Sequence, residues 1–250
     1  MVVAGPAAQA SGDASVRFVH AVPGAGPAEL VVKGGAQVGS GTGFGQVSSY
    51  VGVSPGSHEV SLKSGKTTIA VTNVDFTDGK RYTVVAMSQG KKAQLRPYVD
   101  GKAADAKARL RLIHAAPELG SPDVRLDGQA LAEKASFTEA TPYLTVSPGS
   151  HALEVTKPGS GGGRPIAGKQ VSLSAGSSST AFLIGTRGEP TSIVLASDQT
   201  ASPSRAPRTG LAPLGGGRPW ATIGAIALLA GLLGGGLYLL VAGLGRTRAG

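Results

Sequence analysis

The chain has 250 residues, no cysteine, 39 glycines and 16 prolines, with one tryptophan, five tyrosines and five phenylalanines. That composition excludes a disulfide framework and a thiolate metal site, and it favours short elements joined by turns over long helices. The net charge of +9 is uneven: residues 16–100 carry +4, residues 101–198 carry +1, and residues 199–250 carry five arginines and no acid. A nucleic-acid binder gathers basic residues on one face, often beside exposed aromatics. Here the largest surplus flanks an apolar stretch, so no nucleic-acid partner is expected.

The N-terminal ten residues end in Ala8-Gln9-Ala10, the small-x-small form of a signal-peptidase site. The run before it is short and has no basic start. Residues 1–13 are therefore read as the remnant of a signal peptide or a disordered N-terminus, with Met1 a misassigned start.

From Val16 the chain is written twice. V-R-F-V-H-A-V-P at 16–23 returns as L-R-L-I-H-A-A-P at 110–117, which sets Arg17 on Arg111 and His20 on His114. Phe44 matches Phe137, Tyr50 matches Tyr143, and S-P-G-S-H ends at His58 in one copy and at His151 in the other. The unit is about ninety residues, enough to bury a core of its own. Its apolar positions alternate with the strand period of two. Val16, Phe18 and His20 share one face and Arg17, Val19 and Ala21 the other; beyond the S-P-G turn His58, Val60 and Leu62 share a face. Further strands are predicted at 29–33, 47–53, 66–72, 81–87 and 93–99. The glycine-rich 39–45 reads as a turn or edge loop, since no helix and no Lys-Ser/Thr pair follows to complete a phosphate loop. Tyr50 and Tyr143 read as corner tyrosines whose hydroxyls tie back to backbone.

Seven or so short strands per repeat, with turns every eight to twelve residues, predict an all-β fold of two tandem immunoglobulin-like β-sandwich domains. The boundaries are set at 14–101 and 102–198, and the two are expected to fold separately across a polar joint at 100–108. The second copy gains a longer hairpin at 157–165, a loop tip. Residues 199–218 are rich in Pro, Gly and Ser and form a stalk. Residues 219–245 lack charge and are long enough for a single C-terminal transmembrane helix, with Trp220 and the arginines 246 and 248 as interfacial anchors. Residues 246–250 make a short basic cytoplasmic tail. Ala227, Gly231 and Gly235 form a small-xxx-small face of the kind that supports weak self-association, although abundant small residues give the same pattern by themselves. A-P-R-T-G at 206–210 has the outline of a sortase signal, with alanine where leucine is usual and a long gap before Trp220. The expected location is the cell membrane, single-pass, with the domains extracytoplasmic.

The H-A-x-P strand, the strand that follows an acidic residue, the F-x5-Y segment and the P-G-S-H turn together resemble the bacterial extracytoplasmic family catalogued as domain of unknown function 4397. The resemblance spans about 180 residues and both copies. It departs in the last strands of the second copy, where Ser179 stands in the place of Tyr82. It implies β-rich, secreted or surface-anchored modules in tandem, and supplies no activity and no functional residues.

Chemistry is sparse. His20, His58 and Glu29 in one copy, and His114, His151 and Asp123 in the other, are the candidate metal ligands, but no H-x-H or H-x-x-x-H spacing supports them. Each histidine lies on the apolar face of its strand, which favours a buried imidazole hydrogen-bonded to backbone. The G-x-S-x-G of Gly52–Gly56 lies between predicted strands, and no strand-to-helix turn is there to make it a nucleophile elbow. The expectation is a non-enzymatic, cofactor-free surface protein for adhesion, envelope scaffolding or ligand capture, with a cell-wall polymer or a surface protein as partner. The alternative is a metal-binding protein or metal-dependent enzyme built on the duplicated histidines.

Overall fold

Strands of two kinds alternate along this chain, those buried on one face and those buried on both. The computed structural model describes residues 12–90, 92–102, 105–159, 163–185 and 191–199. The first repeat contributes β1 (Ala14–Ala21), β2 (Ala28–Val32), β3 (Gln37–Thr42), β4 (Val51–Val53), β5 (Gly56–Ser64), β6 (Thr67–Phe76), β7 (Arg81–Gln89) and β8 (Lys92–Val99). The second contributes β9 (Ala108–His114), a 3-10 turn (Pro117–Leu119), β10 (Asp123–Leu126), β11 (Gln129–Ala132), β12 (Leu144–Val146), β13 (Gly149–Thr156), β14 (Ala167–Leu173), β15 (Ser178–Ile184) and β16 (Ser192–Ser197).

Each repeat is a sandwich of two four-stranded sheets. In the first, β4-β1-β7-β8 packs on β3-β2-β5-β6; in the second, β12-β9-β15-β16 packs on β11-β10-β13-β14. The alternation predicted for β1 holds, with Val16 and Phe18 entering the first core beside Leu30, Leu62 and Val84. Most pairings are antiparallel. β1 and β7 run parallel, however, from Ser15 opposite Arg81 to Ala21 opposite Met87, and β9 and β15 do the same. A parallel pair needs a long crossover, and the whole second sheet supplies it.

β5 and β13 bury alternate residues, as a half-solvated strand should. In contrast, β1, β7, β9 and β15 are buried along almost their whole length. Their second faces meet between the sandwiches in a third core of Val19, Ala21, Val85, Met87, Ile113, Ala115, Phe182 and Ile184. The result is a stack of four sheets. Each Val, Ile, Met or Phe fully buried there gains about 1.5–3 kcal/mol over exposure, so the two sandwiches are held face to face.

Three local expectations change. The glycine-rich 39–45 is not all loop: its first residues complete β3, an edge strand paired with β2 through a register shift. Gly39 and Gly41, both at positive φ, make the irregularity. The strand predicted at 47–53 is regular only over β4. Upstream, the Ser48 hydroxyl rather than a carbonyl accepts the Phe18 N–H at 2.9 Å, and Thr141 does the same for Leu112 at 2.9 Å. The joint at 100–108 is not uniformly solvated, because Asp100 is buried.

The stalk, the apolar stretch 219–245, the basic tail, the 206–210 motif and Ala227, Gly231 and Gly235 lie outside the described residues, as does nearly all of the N-terminal 1–13. Among the described residues no helix is long and apolar enough to cross a membrane.

The third core makes a direct prediction. Phe182 is 0% exposed at its centre, so Phe182→Ala should lower the unfolding free energy by about 3–5 kcal/mol, read as a fall in the urea midpoint. An unchanged midpoint would mean that the sandwiches meet only loosely.

Candidate functional site

The histidines divide into two kinds. His20 ends β1 and His114 ends β9, and both are fully buried. The Val22 N–H donates to His20 Nδ1 at 3.2 Å and His20 Nε2–H donates to the Gly26 carbonyl at 3.1 Å. His114 repeats this with the Ala116 N–H at 3.3 Å and the Gly120 carbonyl at 2.9 Å. A backbone donor on Nδ1 and a carbonyl on Nε2 fix the neutral Nε2–H tautomer. Burial holds both imidazoles below their ordinary value of 6.5, outweighing the opposing effect of the carbonyl bond. Each ring ties the loop after its strand to the strand end, with no nitrogen left for a metal.

His58 and His151 sit after the S-P-G turns. Their Nε2–H groups donate to the carbonyls of Ser54 at 2.9 Å and Ser147 at 2.8 Å. His151 also places Nδ1 2.6 Å from Asp127 Oδ2. Carbonyl and carboxylate only accept, so both ring nitrogens carry protons and His151 is an imidazolium. The Asp127 bond accordingly raises the histidine and lowers the carboxyl.

The predicted ligand sets are not assembled. His20 lies against Phe18 and Phe44, whereas His58 lies against Phe76. Glu29 accepts from Gln37 and Ser40 on the exposed face of the other sheet. Asp123 accepts the N–H groups of Lys134 at 2.8 Å and Gly159 at 3.1 Å. Among the described residues no three acidic or histidine side chains converge where a metal ion could sit.

The densest polar cluster lies instead at the end of the third core. Arg17 on β1 donates through Nε to Thr83 at 2.7 Å, through one terminal nitrogen to the Ser197 carbonyl at 2.6 Å, and through the other to Asp198 at 2.5 Å. Arg111 on β9 donates to Thr180 at 2.9 Å, to the Val99 carbonyl at 2.8 Å and to Asp100 at 2.6 Å. Thr83 passes a proton bond on to Asp100, and Thr180 passes one on to Asp198. Tyr50 and Tyr143 complete the carboxylates, donating to Asp100 at 2.6 Å and Asp198 at 2.7 Å. They were expected to tie back to backbone; their principal acceptors are carboxylates.

Each of these Arg, Thr, Asp and Tyr contacts has its counterpart with the repeats exchanged, so the heart of the cluster is isologous about a pseudo-twofold axis. Two arginines and two aspartates, all at most 9% exposed, balance in charge. Burial pushes the Asp100 carboxyl up against the pull of Arg17 and Arg111, and it pushes the Tyr50 and Tyr143 hydroxyls up as well. Arg17 and Arg81 lie 4.9 and 5.5 Å from the Tyr50 ring centroid, and Arg111 and Arg109 lie 4.8 and 4.9 Å from that of Tyr143. Gly101 donates its N–H to the Tyr143 hydroxyl at 2.8 Å, and a Cβ there would stand 2.6 Å from the ring. Sequence reasoning passed over this cluster. Its one signal was an arginine on a strand face shared with valine and alanine, in both copies.

Comparison with known proteins adds a family. Residues 14–125 and 108–208 match the family model described as Domain of unknown function (DUF4397). No curated protein matches the chain. Among solved structures, CBMbc (family CBM26) from Eubacterium rectale Amy13K, in complex with maltoheptaose, is 12% identical over 72% of this chain and 95% of its own, with a TM-score of 0.26. A Bacteroides fragilis protein named provisionally for cell adhesion is 13% identical over 75% of this chain and 97% of its own, with a TM-score of 0.20. At those scores neither bears on what this chain does.

Two predictions follow from the geometry. Asp198→Ala leaves the Arg17 guanidinium buried without its carboxylate and should cost about 3–5 kcal/mol. Removing Glu59 from the exposed Lys33–Glu59 pair, at 3.5 Å, should cost less than about 1 kcal/mol. Urea unfolding compares them, and equal effects would show that the crossed pair is not buried in solution.

The second concerns pH. His20 and His114 have folded pKa values below the unfolded one, so the unfolded chain binds more protons. Their contribution is present above the unfolded value, about 6.5, and is lost as pH falls through the folded value. His151 has the opposite sign and contributes below the unfolded value. The gap in urea midpoint between the wild type and H20Q/H114Q should therefore narrow from pH 7.5 to 5.5. Parallel profiles would rule out buried neutral imidazoles.

Proposed function

The chain belongs to the family described as Domain of unknown function (DUF4397), in two overlapping tandem matches, and we propose that its fused sandwiches are a non-catalytic binding unit displayed at the cell surface. The modules of this reading are immunoglobulin-like repeats at 14–101 and 102–198. The observation that carries it is the use made of the buried polar groups. Arg17, Arg111, Asp100 and Asp198 join the modules, and His20 and His114 pin loops. The groups best able to perform acid–base or metal chemistry are thus committed to structure.

What remains for function is surface. One flank of the first module is open between β6 and β8, the edge strands of its two sheets. A groove of about 630 Å3 runs there, with Ile69, Ala70 and Ala93 on its walls and Lys92 and Arg96 at its side. At the corresponding flank of the second module Lys169 reaches across and donates to the Ile193 carbonyl at 3.0 Å. Grooves and edge strands of this kind suit capture of a partner rather than turnover. The +4 charge of residues 16–100 favours an anionic one, a cell-wall polymer or an acidic surface protein. In this proposal residues 219–245 span the membrane once, with 199–218 as a stalk and the modules outside.

Protease shaving of intact cells tests the placement. Peptides from 14–198 should be released without lysis, whereas protection until permeabilisation would overturn it. Thermal scans with excess zinc test the chemistry, because a ligand that binds only the folded state raises the melting temperature. No rise is expected; a rise lost in both His20→Ala and His58→Ala would favour a metal protein.

A further inference from the structure

The pseudo-twofold that relates the two modules is broken at one rim of their interface. On one side Tyr98 of β8 reaches across to the second module, and its hydroxyl donates to the Thr138 carbonyl at 2.6 Å. Tyr98 and the neighbouring Phe137 both pack against the third core there, and burial pushes the hydroxyl up to about 12. Strand register identifies the counterpart of Tyr98. Thr83 pairs with Tyr98 and its equivalent Thr180 pairs with Ala196, so a methyl group stands where the first module has a phenol.

The surface facing Ala196 is nevertheless built like the covered one. Phe44 and Phe137 meet His20 and His114 edge-on, with centroids 6.2 and 6.0 Å apart. The Gly45 N–H donates to the His20 carbonyl at 2.8 Å, and the Thr138 N–H to the His114 carbonyl at 2.9 Å. Gly45 and Thr138 share a left-handed φ, 76° and 71°, and the next N–H groups, of Gln46 and Glu139, donate alike to the Gly43 and Ser136 carbonyls at 3.1 Å, so the two peptide planes and their carbonyls are oriented alike. Val47 and Ala140 make equivalent bridges to Val19 and Ile113. The larger Phe182 stands in place of Val85 and is wholly buried in the third core, with Val47, Val194 and Ala196 packed against that core and only partly buried. Phe44 remains 41% exposed. Charge is missing too: the Arg96–Glu139 pair of the covered side, at 4.0 Å, is replaced by Val194 and Gln46.

We propose that this rim, formed by Phe44, Gly45 and Val47 of the first module with Val194 and Ala196 of the second, is a docking site for a tyrosine side chain of a partner protein. The molecule holds its own template for the occupied state. Tyr98 shows that a phenol ring fits beside the phenylalanine with its hydroxyl on the carbonyl of the next residue, and the open rim offers the same ring and the same carbonyl, contiguous with an interface already made. An uncharged rim lets the ring dock without stripping water from an ion, and aromatic side chains are the usual anchors of such contacts. This site rests on the surface-binding reading and gives its partner a chemistry.

The test uses the full chain in lipid nanodiscs with labelled alanine and valine methyl groups, and p-cresol as the probe, the side chain of tyrosine as a free molecule. Millimolar p-cresol should shift the methyls of Val47, Val194 and Ala196 saturably and leave Val60, in the first core, unmoved. Ala196→Tyr should abolish the shifts of Val47 and Val194 by filling the rim from within; Ala196→Leu serves if that variant does not fold. Tyr98→Ala should open the second, matching rim and bring the Ala140 methyl into the response. Shifts that persist in the filled variant, shifts that do not saturate, or a response to methyl β-glucopyranoside in place of p-cresol would overturn the proposal, the last in favour of a sugar platform. The readout is independent of cell-surface display, so a failed shaving experiment and an empty rim are separate results.

Discussion

Two buried arginines that each need the other module's aspartate are the constraint from which the rest of this architecture follows. Apolar surfaces attract without direction, and the third core alone would tolerate sliding or rotation of one sandwich on the other. A buried guanidinium does not tolerate it, because loss of its carboxylate leaves an uncompensated charge in a poorly solvating interior. Arg17 reaches Asp198 and Arg111 reaches Asp100 only in one relative placement. The cluster therefore fixes register while the valines, isoleucines and Phe182 supply adhesion. It also explains the short joint: Asp100 is fixed at the end of β8 by Thr83 and Tyr50, leaving only 101–107 before β9.

Much of the single sandwich was legible from alternation and turn chemistry. Val16 and Phe18 were placed on the core face of β1, and the S-P-G turns were located. The pairing of sandwiches was not legible in the same way. A strand buried on both faces shows a continuous apolar run, as in T-V-V-A-M of β7 and A-F-L-I of β15, and such a run hides which face meets which partner. Arg17 was set on the face of β1 opposite Val16 and Phe18, beside Val19 and Ala21, with nothing to say what that face meets. Asp100 and Asp198 looked like boundary residues because both stand just after a terminal strand. Only their convergence in space, at offsets of 94 for the arginines and 98 for the aspartates, reveals the pairing.

The histidines show the opposite case, in which the residue types drew attention and local geometry resolved their role. In H-A-V-P and H-A-A-P the ring accepts the N–H two residues on and donates to a carbonyl six residues on. Both partners are backbone and both are close in sequence, so the motif holds itself together without another module. The reading of a buried imidazole bonded to backbone fits His20 and His114. The His151–Asp127 pair was invisible beforehand, because Asp127 has a lysine as its counterpart in the first copy and no repeat marks it.

Duplication within one chain also frees the two halves of an isologous interface to differ. In a dimer of identical chains any change at the rim appears twice, so both sides are open or both are closed. Here Tyr98 bridges one rim while Ala196 holds its place at the other, and Lys169 spans one flank while Thr72, its counterpart by register, lines a groove at the other. The two departures act on different parts of the molecule, one at the junction of both modules and one on the first module alone. Neither touches the crossed Arg–Asp cluster, whose members are kept in matching pairs. The crossed cluster that orients the modules is alike in both copies, whereas the positions of Tyr98 and Lys169 are not. A fused pair can thus keep the register that its buried charges demand and still present a different surface on each side.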